Sequence, residues 1–444
     1  MAYQLSDKFN AKRLIGFSLS SMLMMLILAC YTTIDGLFIS NYIKPNGIGA
    51  LNIVMPIISA TLAISFMFST GTNSVISQLM GEGKQKRANQ LLSTIYIIAV
   101  GVGVVISLGC MIFKMPLLRF LGANDSLIDN ANLYLSTIVW FLPFLFLQDF
   151  GQIFFITASK PSYSLIFTLL GGIVNAILDY VFVVKMQLGM QGAALATGIG
   201  YLFPAIASII YFLKQRSDNL CFKKPYFNFK QLMFCFYNGS SEFLSNISAA
   251  VVSILINGVM LSLAGVDGVN AIGVVFQLQF IIASLFIGYS IGVLPIISYK
   301  YGAEDTKQLR QVVSSSFKII IVISSVMVLL SVIFNHQIIN FYLEETTNSF
   351  SLTKHGFVIY VWAFLVMGIN FFTSMMFTGI SDAKHSIIIA LLRSFVFIFI
   401  AIMILPNIFG IDGVWLALPV SETLTFMVSM YFYIRYFRNR FKDQ

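Results

Sequence analysis

Five carboxylates lie inside long apolar runs of this chain: Asp35, Asp149, Asp179, Glu242 and Glu422. A charge at mid-bilayer costs at least ~2.5–3.5 kcal/mol on the insertion scale, so such acids face an interior and are functional by default. Asp35 and Asp179 carry the most information. Asn175 precedes Asp179 by four residues, and Tyr31 precedes Asp35 by four, so each pair shares one helix face. With the N-terminus inside, the first and fifth helices run outward and the sixth runs inward. Asp35, Asp179 and Thr197, near the outer start of the sixth helix, then fall at a similar depth. Two carboxylates, an amide and a hydroxyl make a set of hard oxygen ligands. Two carboxylates in one apolar pocket cannot easily both ionise, which makes a proton site. With Asn175 and Thr197 added, the same set suits Na⁺. The plainer alternative is that Asp35 and Asp179 only hydrogen-bond helices together.

A second polar set lies on the seventh helix. Glu242, Asn246, Ser253 and Asn257 are spaced by 4, 7 and 4, which keeps them on one face. Glu242 falls in the inner third, where it would meet cytoplasmic substrate or a second proton; a helix-packing stripe fits equally well. For Asp149 and Glu422, helix-edge or helix-to-helix bonding fits as well as a functional role. Arg393, about eight residues into the eleventh helix, is within snorkelling reach of the cytoplasm. Cys30, Cys110, Cys221 and Cys235 form no CxxC pair and are expected as free thiols, without a zinc site. His336, His355 and His385 have no metal spacing, so no metal beyond Na⁺ at Asp35, Asn175, Asp179 and Thr197 is expected. No GxxxxGK[ST] string occurs. The nearest, Gly81-Glu-Gly-Lys84, lacks the upstream glycine and the hydroxyl residue. With no ATP site, any uphill movement of a solute would have to draw on an ion gradient. HExxH and GxSxG are absent too. An intramembrane enzyme would need a nucleophile and base that the sequence does not offer, and a channel would more readily show pore-lining rings.

The elements that must position these residues are transmembrane helices. Of 444 residues, 58% are hydrophobic, enough for about twelve spans at ~20 residues each. Charged residues are 10%, against about 25% in soluble proteins. A soluble globular enzyme and a disordered chain are excluded. Apolar runs fall at 13–40, 48–80, 90–113, 131–157, 161–185 and 191–213, then at 231–264, 270–300, 312–337, 354–379, 385–406 and 411–434. Runs this long are not the alternating ~10-residue strands of a barrel. The expected fold is an all-α membrane protein of twelve transmembrane helices in two parallel six-helix bundles, residues 1–213 and 231–444. A basic cytoplasmic linker, 214–230, joins them.

With both termini cytoplasmic, 22 of the 27 Lys and Arg residues fall inside and 5 outside. The net charge of +9 is then the inner face of a plasma-membrane protein meeting anionic lipid, and no nucleic-acid partner is expected. The first run is long enough to span and has no small-residue cleavage site after it, so no cleavable signal peptide is expected.

The halves repeat one another. Residues 69–94 align without gaps to 290–315 with eight of 26 columns identical, where composition gives about two. Gly71 pairs with Gly292, Ser77 with Ser298, Gly81 with Gly302 and Lys86 with Lys307. Asp35-Gly36 echoes Asn257-Gly258, and Gly189 to Gly192 echoes Gly410 to Gly413. Six spans per half make the halves parallel, related by a pseudo-two-fold along the membrane normal. This is a secondary-transporter pattern with its site between or within the lobes. The ion set is not repeated: Phe397, Ala401 and Leu418 stand at the places of Asn175, Asp179 and Thr197.

The chain resembles the MATE (multidrug and toxic compound extrusion) family over nearly its whole length, most closely the MepA-like and DinF-like branch. The strings that carry the resemblance are YTTIDGLFIS, SKPSYSLIFTLLGGIVNAILDYVF, MQGAALATGIG, GSSEF and PIISYKYGA. The resemblance implies a cation site at Asp35, Asn175, Asp179 and Thr197, with Tyr31 lining it. It implies efflux of organic, mostly cationic, amphipathic drugs by alternating access, with H⁺ expected ahead of Na⁺ as coupling ion and no cofactor. The acidic site of the NorM-like branch is not matched in the second half, which leaves Glu242, Asn246 and Asn257 as a candidate substrate or second proton site. The chain is expected as a monomer. The runner-up is a flippase of the same superfamily for lipid-linked oligosaccharide or peptidoglycan precursor. Those proteins tend toward cationic cavities, whereas here five buried acids stand against one Arg.

Overall fold

A computed structural model describes residues 3–43, 46–215 and 219–440, and their side chains except at 32–35, 37, 40, 439 and 440. No strand occurs among the described residues. A chain in hydrocarbon must satisfy its backbone within each segment, so apolar runs of this length become helices. The first half comprises α1 (Ala11–Tyr42), α2 (Gly47–Gly81), α3 (Gln85–Ile112), α4 (Lys114–Phe120), α5 (Ile128–Ile138), α6 (Leu142–Thr157), α7 (Pro161–Asp179) and α8 (Gly189–Lys214). The second comprises α9 (Phe229–Gly302), α10 (Thr306–Ile333), α11 (Asn335–Asn340), α12 (Asn348–Tyr360), α13 (Phe364–Gly379), α14 (Ala383–Leu391), α15 (Phe397–Phe409) and α16 (Ile411–Arg440). Side-chain caps mark several starts: Asn10, Asn228, Asp305 and Asp382 each accept from the backbone three residues on.

Eleven helical stretches among the described residues are long and apolar enough to cross a membrane. One of them, α9, runs 74 residues. At 1.5 Å per residue that is about 110 Å, far beyond a ~30 Å hydrocarbon core. Gly265 breaks it, with φ 60° and ψ −149°, a conformation that only glycine adopts readily. The two arms, 229–264 and 266–302, each suffice for a crossing and bring the total to the expected twelve.

Local structure recurs at an offset of 221 or 222 residues. Left-handed residues end the same loops in each half: Gly83 and Glu304, Ser159 and Ser381, Gly189 and Gly410. A 3₁₀ turn at Val139–Phe141 is echoed at Val361–Ala363, and the short α4 by α11. One feature does not recur in place. A π-helical turn follows α7 at Tyr180–Lys185, whereas the second-half π turn lies earlier in its crossing, at Leu392–Val396.

The halves meet most tightly along α2 and α9. A Cβ on Gly71 would stand 2.0 Å from the Cys235 carbonyl oxygen, and one on Gly239 would stand 1.9 Å from that of Met67. Nearer the helix ends, a Cβ on Gly81 would stand 2.2 Å from the Tyr299 carbonyl oxygen. One on Gly302 would lie equally close to that of Gln78. Only glycine permits this backbone approach. Hydrogen bonds close the same end: Gln78 donates to the Gly379 carbonyl (2.9 Å) and to Ser381 (2.7 Å), and Asn238 donates to the Thr378 carbonyl (3.0 Å).

Candidate functional site

The first-half site is built by α1, α7 and α8. α7 and α8 approach through small residues: a Cβ on Gly171 would lie 3.1 Å from the Gly200 carbonyl oxygen, and one on Gly200 would lie 3.1 Å from Asn175 Cβ. This approach leaves a cavity of about 10 Å³, room for about one water-sized guest. Tyr31, Gln148, Thr168, Asn175 and Thr197 give it its polar wall. Three of the sequence-predicted residues, Tyr31, Asn175 and Thr197, therefore converge on one cavity. Asp179, one turn beyond Asn175, is fully buried where α7 passes into its π turn. Such turns appear frequently at functional sites. Asp35 lies on α1 one turn past Tyr31, and its side chain falls outside the described residues.

Asn175 is buried, and its Nδ2 has no hydrogen-bond partner among the described residues. Thr197 Oγ1 donates to the Ala193 carbonyl at 3.0 Å, which leaves its lone pairs to the cavity. The wall thus offers an amide and a hydroxyl oxygen beside a buried carboxylate, a set that suits a small cation or a proton on an acid.

Sequence reasoning missed Gln148 and Thr168. The signal was present for Thr168, which precedes Asn175 by seven residues and so shares its helix face. Asp149 bonds across helices. It is buried and accepts from Ser65 (2.6 Å) and Ser69 (3.0 Å), which ties α6 to α2. Of the two readings the sequence offers for Asp149, this contact is the helix-to-helix bond.

The helix-7 stripe is spread along the first arm of α9. Asn246 is exposed and donates to the Glu242 carbonyl at 2.8 Å, so its amide serves its own helix. Glu242 and Asn257 are half-buried. Glu242 belongs to a cluster that the sequence did not announce. Arg393 is not snorkelling, as was expected of it, but is buried in the second half. Its guanidinium carbon sits 3.6 Å from the centre of the Phe371 ring, and its Nη2 donates to Ser245 at 3.4 Å. Its charge is within reach of Glu422 and Glu242. Glu422, also buried, accepts from Asn370 Nδ2 at 2.7 Å. Arg393 lies in a π turn and rests on the Phe371 ring, an aromatic face suited to a guanidinium.

No group of three or more His, Cys, Asp or Glu residues placed to hold a metal ion occurs among the described residues.

The MatE family model matches residues 20–181 and 243–403. "Multidrug export protein MepA" of Staphylococcus aureus (strain bovine RF122 / ET3-1) is 24% identical over 424 residues, covering 94% of this chain and 92% of that protein. Two solved structures share the fold. One, described as the outward-facing conformation of a multidrug resistance MATE family transporter of the MOP superfamily, superposes with a TM-score of 0.91 at 18% identity over 98% of each chain. The other is a MOP superfamily transporter from Pyrococcus furiosus, described as having a binding pocket of reverse polarity that suggests a different function. It superposes with a TM-score of 0.89 at 18% identity over 97% of each chain. With the family model matched in both halves and the same helical body around the cavity, the chain belongs to the MatE family and is a secondary transporter, not an enzyme.

Proposed function

We propose that the protein is a cation-coupled antiporter that exports organic, mostly cationic compounds from the cell. One observation carries this reading: Tyr31, Asn175 and Thr197 line a single small cavity in the first half, beside the buried Asp179. The nature of the cargo is carried over from the similarity to a multidrug export protein. H⁺ is the coupling ion we favour. The cavity has room for about one water-sized guest, and a proton on Asp35 or Asp179 needs no coordination shell; Na⁺ at Asp35, Asn175, Asp179 and Thr197 is the alternative.

The lobes are residues 1–213 and 231–444, joined by a cytoplasmic linker, 214–230. What supports a two-fold between them is reciprocity. Gly81 and Gly302 are partners in the sequence repeat, and each packs against the helix that carries the other. The end they close is the one rich in Lys and Arg, which we read as cytoplasmic. A body sealed there is open toward the outside. In that state the cation binds at Asp35 and Asp179 and drug leaves outward. The lobes then rock, the cation is released inward and new drug binds. A ligand shifts such an equilibrium only by its differential affinity for the two states, and neutralising the acids supplies the difference. The carboxylates Asp35, Asp149, Asp179, Glu242 and Glu422 in apolar runs, against Arg393, argue for cationic cargo over a precursor flippase.

The test is ethidium export from oriented proteoliposomes, with pH and Na⁺ gradients imposed separately on wild type and Asp35→Asn. Export driven by the pH gradient and abolished in the variant is the expected result. Export driven only by Na⁺ keeps the site and changes the ion. Full coupled export by Asp35→Asn would sink the reading.

A further inference from the structure

We propose that the chain carries a built site for one anionic phospholipid, formed where the linker folds back along α3. The observations begin with the strap. Asn89 Nδ2 donates to the Asn219 carbonyl (3.1 Å), and its Oδ1 accepts from Cys221 N (3.1 Å). Lys223 N donates to Ser93 Oγ (2.8 Å), and Tyr226 N donates to Thr94 Oγ1 (3.1 Å), which donates back to the Tyr226 carbonyl (3.2 Å). Asn89, Ser93 and Thr94 are buried beneath the strap. Phe222 locks it further, its ring 4.9 Å from Tyr96 and 5.7 Å from Phe212. A polar segment between two apolar lobes has no need of such fixing if it is only a tether.

The strap has two consequences. It sets Lys223 and Lys224 beside Lys86 of α3, and the three line a recess of about 390 Å³ with Asn89 and Gln90. All three lysines are exposed, and none makes an ion pair among the described residues. It also roofs a groove of about 420 Å³ whose wall is Tyr96, Ile97, Val100, Ile209 and Phe222. Lys223 belongs to both spaces. An apolar trough opening into a recess of uncompensated ammonium groups is complementary to one class of molecule: an acyl chain carrying an anionic phosphodiester. Basic pockets between helices on the cytoplasmic side bind such headgroups. A zwitterionic lipid would bring its own quaternary ammonium against the lysines. Serving as a bound phosphate's partner also explains why a cluster of like charges is held together. The site is separate from the cation cavity and uses nothing of the transport reading except that this end faces the inner leaflet.

The test is native mass spectrometry of the full-length protein in detergent, titrated with phosphatidylglycerol and, separately, with phosphatidylcholine of the same chains. The expected result is that wild type retains phosphatidylglycerol at least tenfold more strongly. Lys86→Gln/Lys223→Gln/Lys224→Gln should bring the two lipids to parity. Lys224→Gln alone, a single exposed change, should lower the preference by a few fold. Lys307→Gln, at the repeat position of Lys86 in the second half, should leave it unchanged. Val100→Trp, which fills the trough and spares every lysine, should reduce retention of both lipids. Equal retention of the two lipids by wild type would overturn the proposal, as would an unaltered preference in the lysine variants.

Discussion

The two halves of this molecule repeat several turns and short helices at one offset and differ in how they treat buried charge. In the first, Asp179 is buried one turn past Asn175, which lines a cavity with Tyr31 and Thr197. In the second, Arg393 is buried against the Phe371 ring and feels the charges of Glu422 and Glu242. Among the described residues the buried basic side chains are Lys300 and Arg393, both in the second half. On the proposed function, Asp179 serves a cation that comes and goes, while the second half carries a resident one. The displaced π turn accompanies this divergence: it follows Asp179 in one half and carries Arg393 in the other.

The largest effect should follow from removing the first-half acid. Asp179→Asn keeps the shape and removes the charge. We expect gradient-driven ethidium export to fall about 100-fold, the upper part of the usual range for coupling between sites. Glu422→Gln, an equally buried acid in the other half, should retain most of the coupled export. If the two variants lost export alike, the halves would not differ in the way described here.

The next effect is on stability rather than transport. Arg393→Met leaves Glu242 and Glu422 without their cation. Breaking a buried charge cluster by removing one partner costs about 3–5 kcal/mol, which should appear as a clear fall in thermal unfolding temperature in detergent. Adding Glu422→Gln to the variant should recover part of the loss. A fall no larger than that of Asp179→Asn would break the contrast between a resident and a visiting cation.

Much of this contrast was legible in the sequence. The twelve runs, the break between 264 and 270 and the convergence of Tyr31, Asn175 and Thr197 all follow from period, charge and helix direction. Arg393 was not legible. Eight residues from a helix start, an arginine reaches water as easily as it reaches a partner, and only packing decides. Its partners Ser245, Phe371 and Glu422 come from three other helices and share no spacing with it. Ser65 and Ser69 were invisible for a similar reason, since serines in apolar helices commonly bond their own backbone. In the sequence the strap over α3 reads only as a basic linker, because charge dominates its composition. The groups that fix it are Asn89, Ser93 and Thr94, which lie on another element.

A smaller effect sharpens the first-half geometry. Gly200→Ala places a methyl group 3.1 Å from Asn175 Cβ, tighter than an ordinary contact. Overpacking of this kind costs about 1–3 kcal/mol, and we expect the low end because only one neighbour is approached so closely. The sharper readout is the coupling ion. A narrowed cavity should weaken Na⁺-driven export more than export driven by a pH gradient, since a proton on a carboxylate needs no coordination shell. Equal losses under both gradients would mean that the cavity is not where the ion sits.

The smallest effect concerns an acid already bonded to a neighbouring helix. Asp149 accepts from Ser65 and Ser69, and both donors come from α2. Ser69→Ala removes the longer of the two bonds and should cost about 1 kcal/mol, the usual net worth of one hydrogen bond. Coupled export should be unchanged, because Asp149 lines neither the cavity nor the Arg393 cluster. The value of the variant lies in that insensitivity. Asp149 and Asp179 are both carboxylates buried in the first half, but Asp179 lies one turn past the cavity-lining Asn175, whereas Asp149 is tied to α2 by two serines. If weakening Asp149's bonds altered the ion dependence of export, burial alone would mark a coupling acid, and the cavity beside Asp179 would lose its special standing.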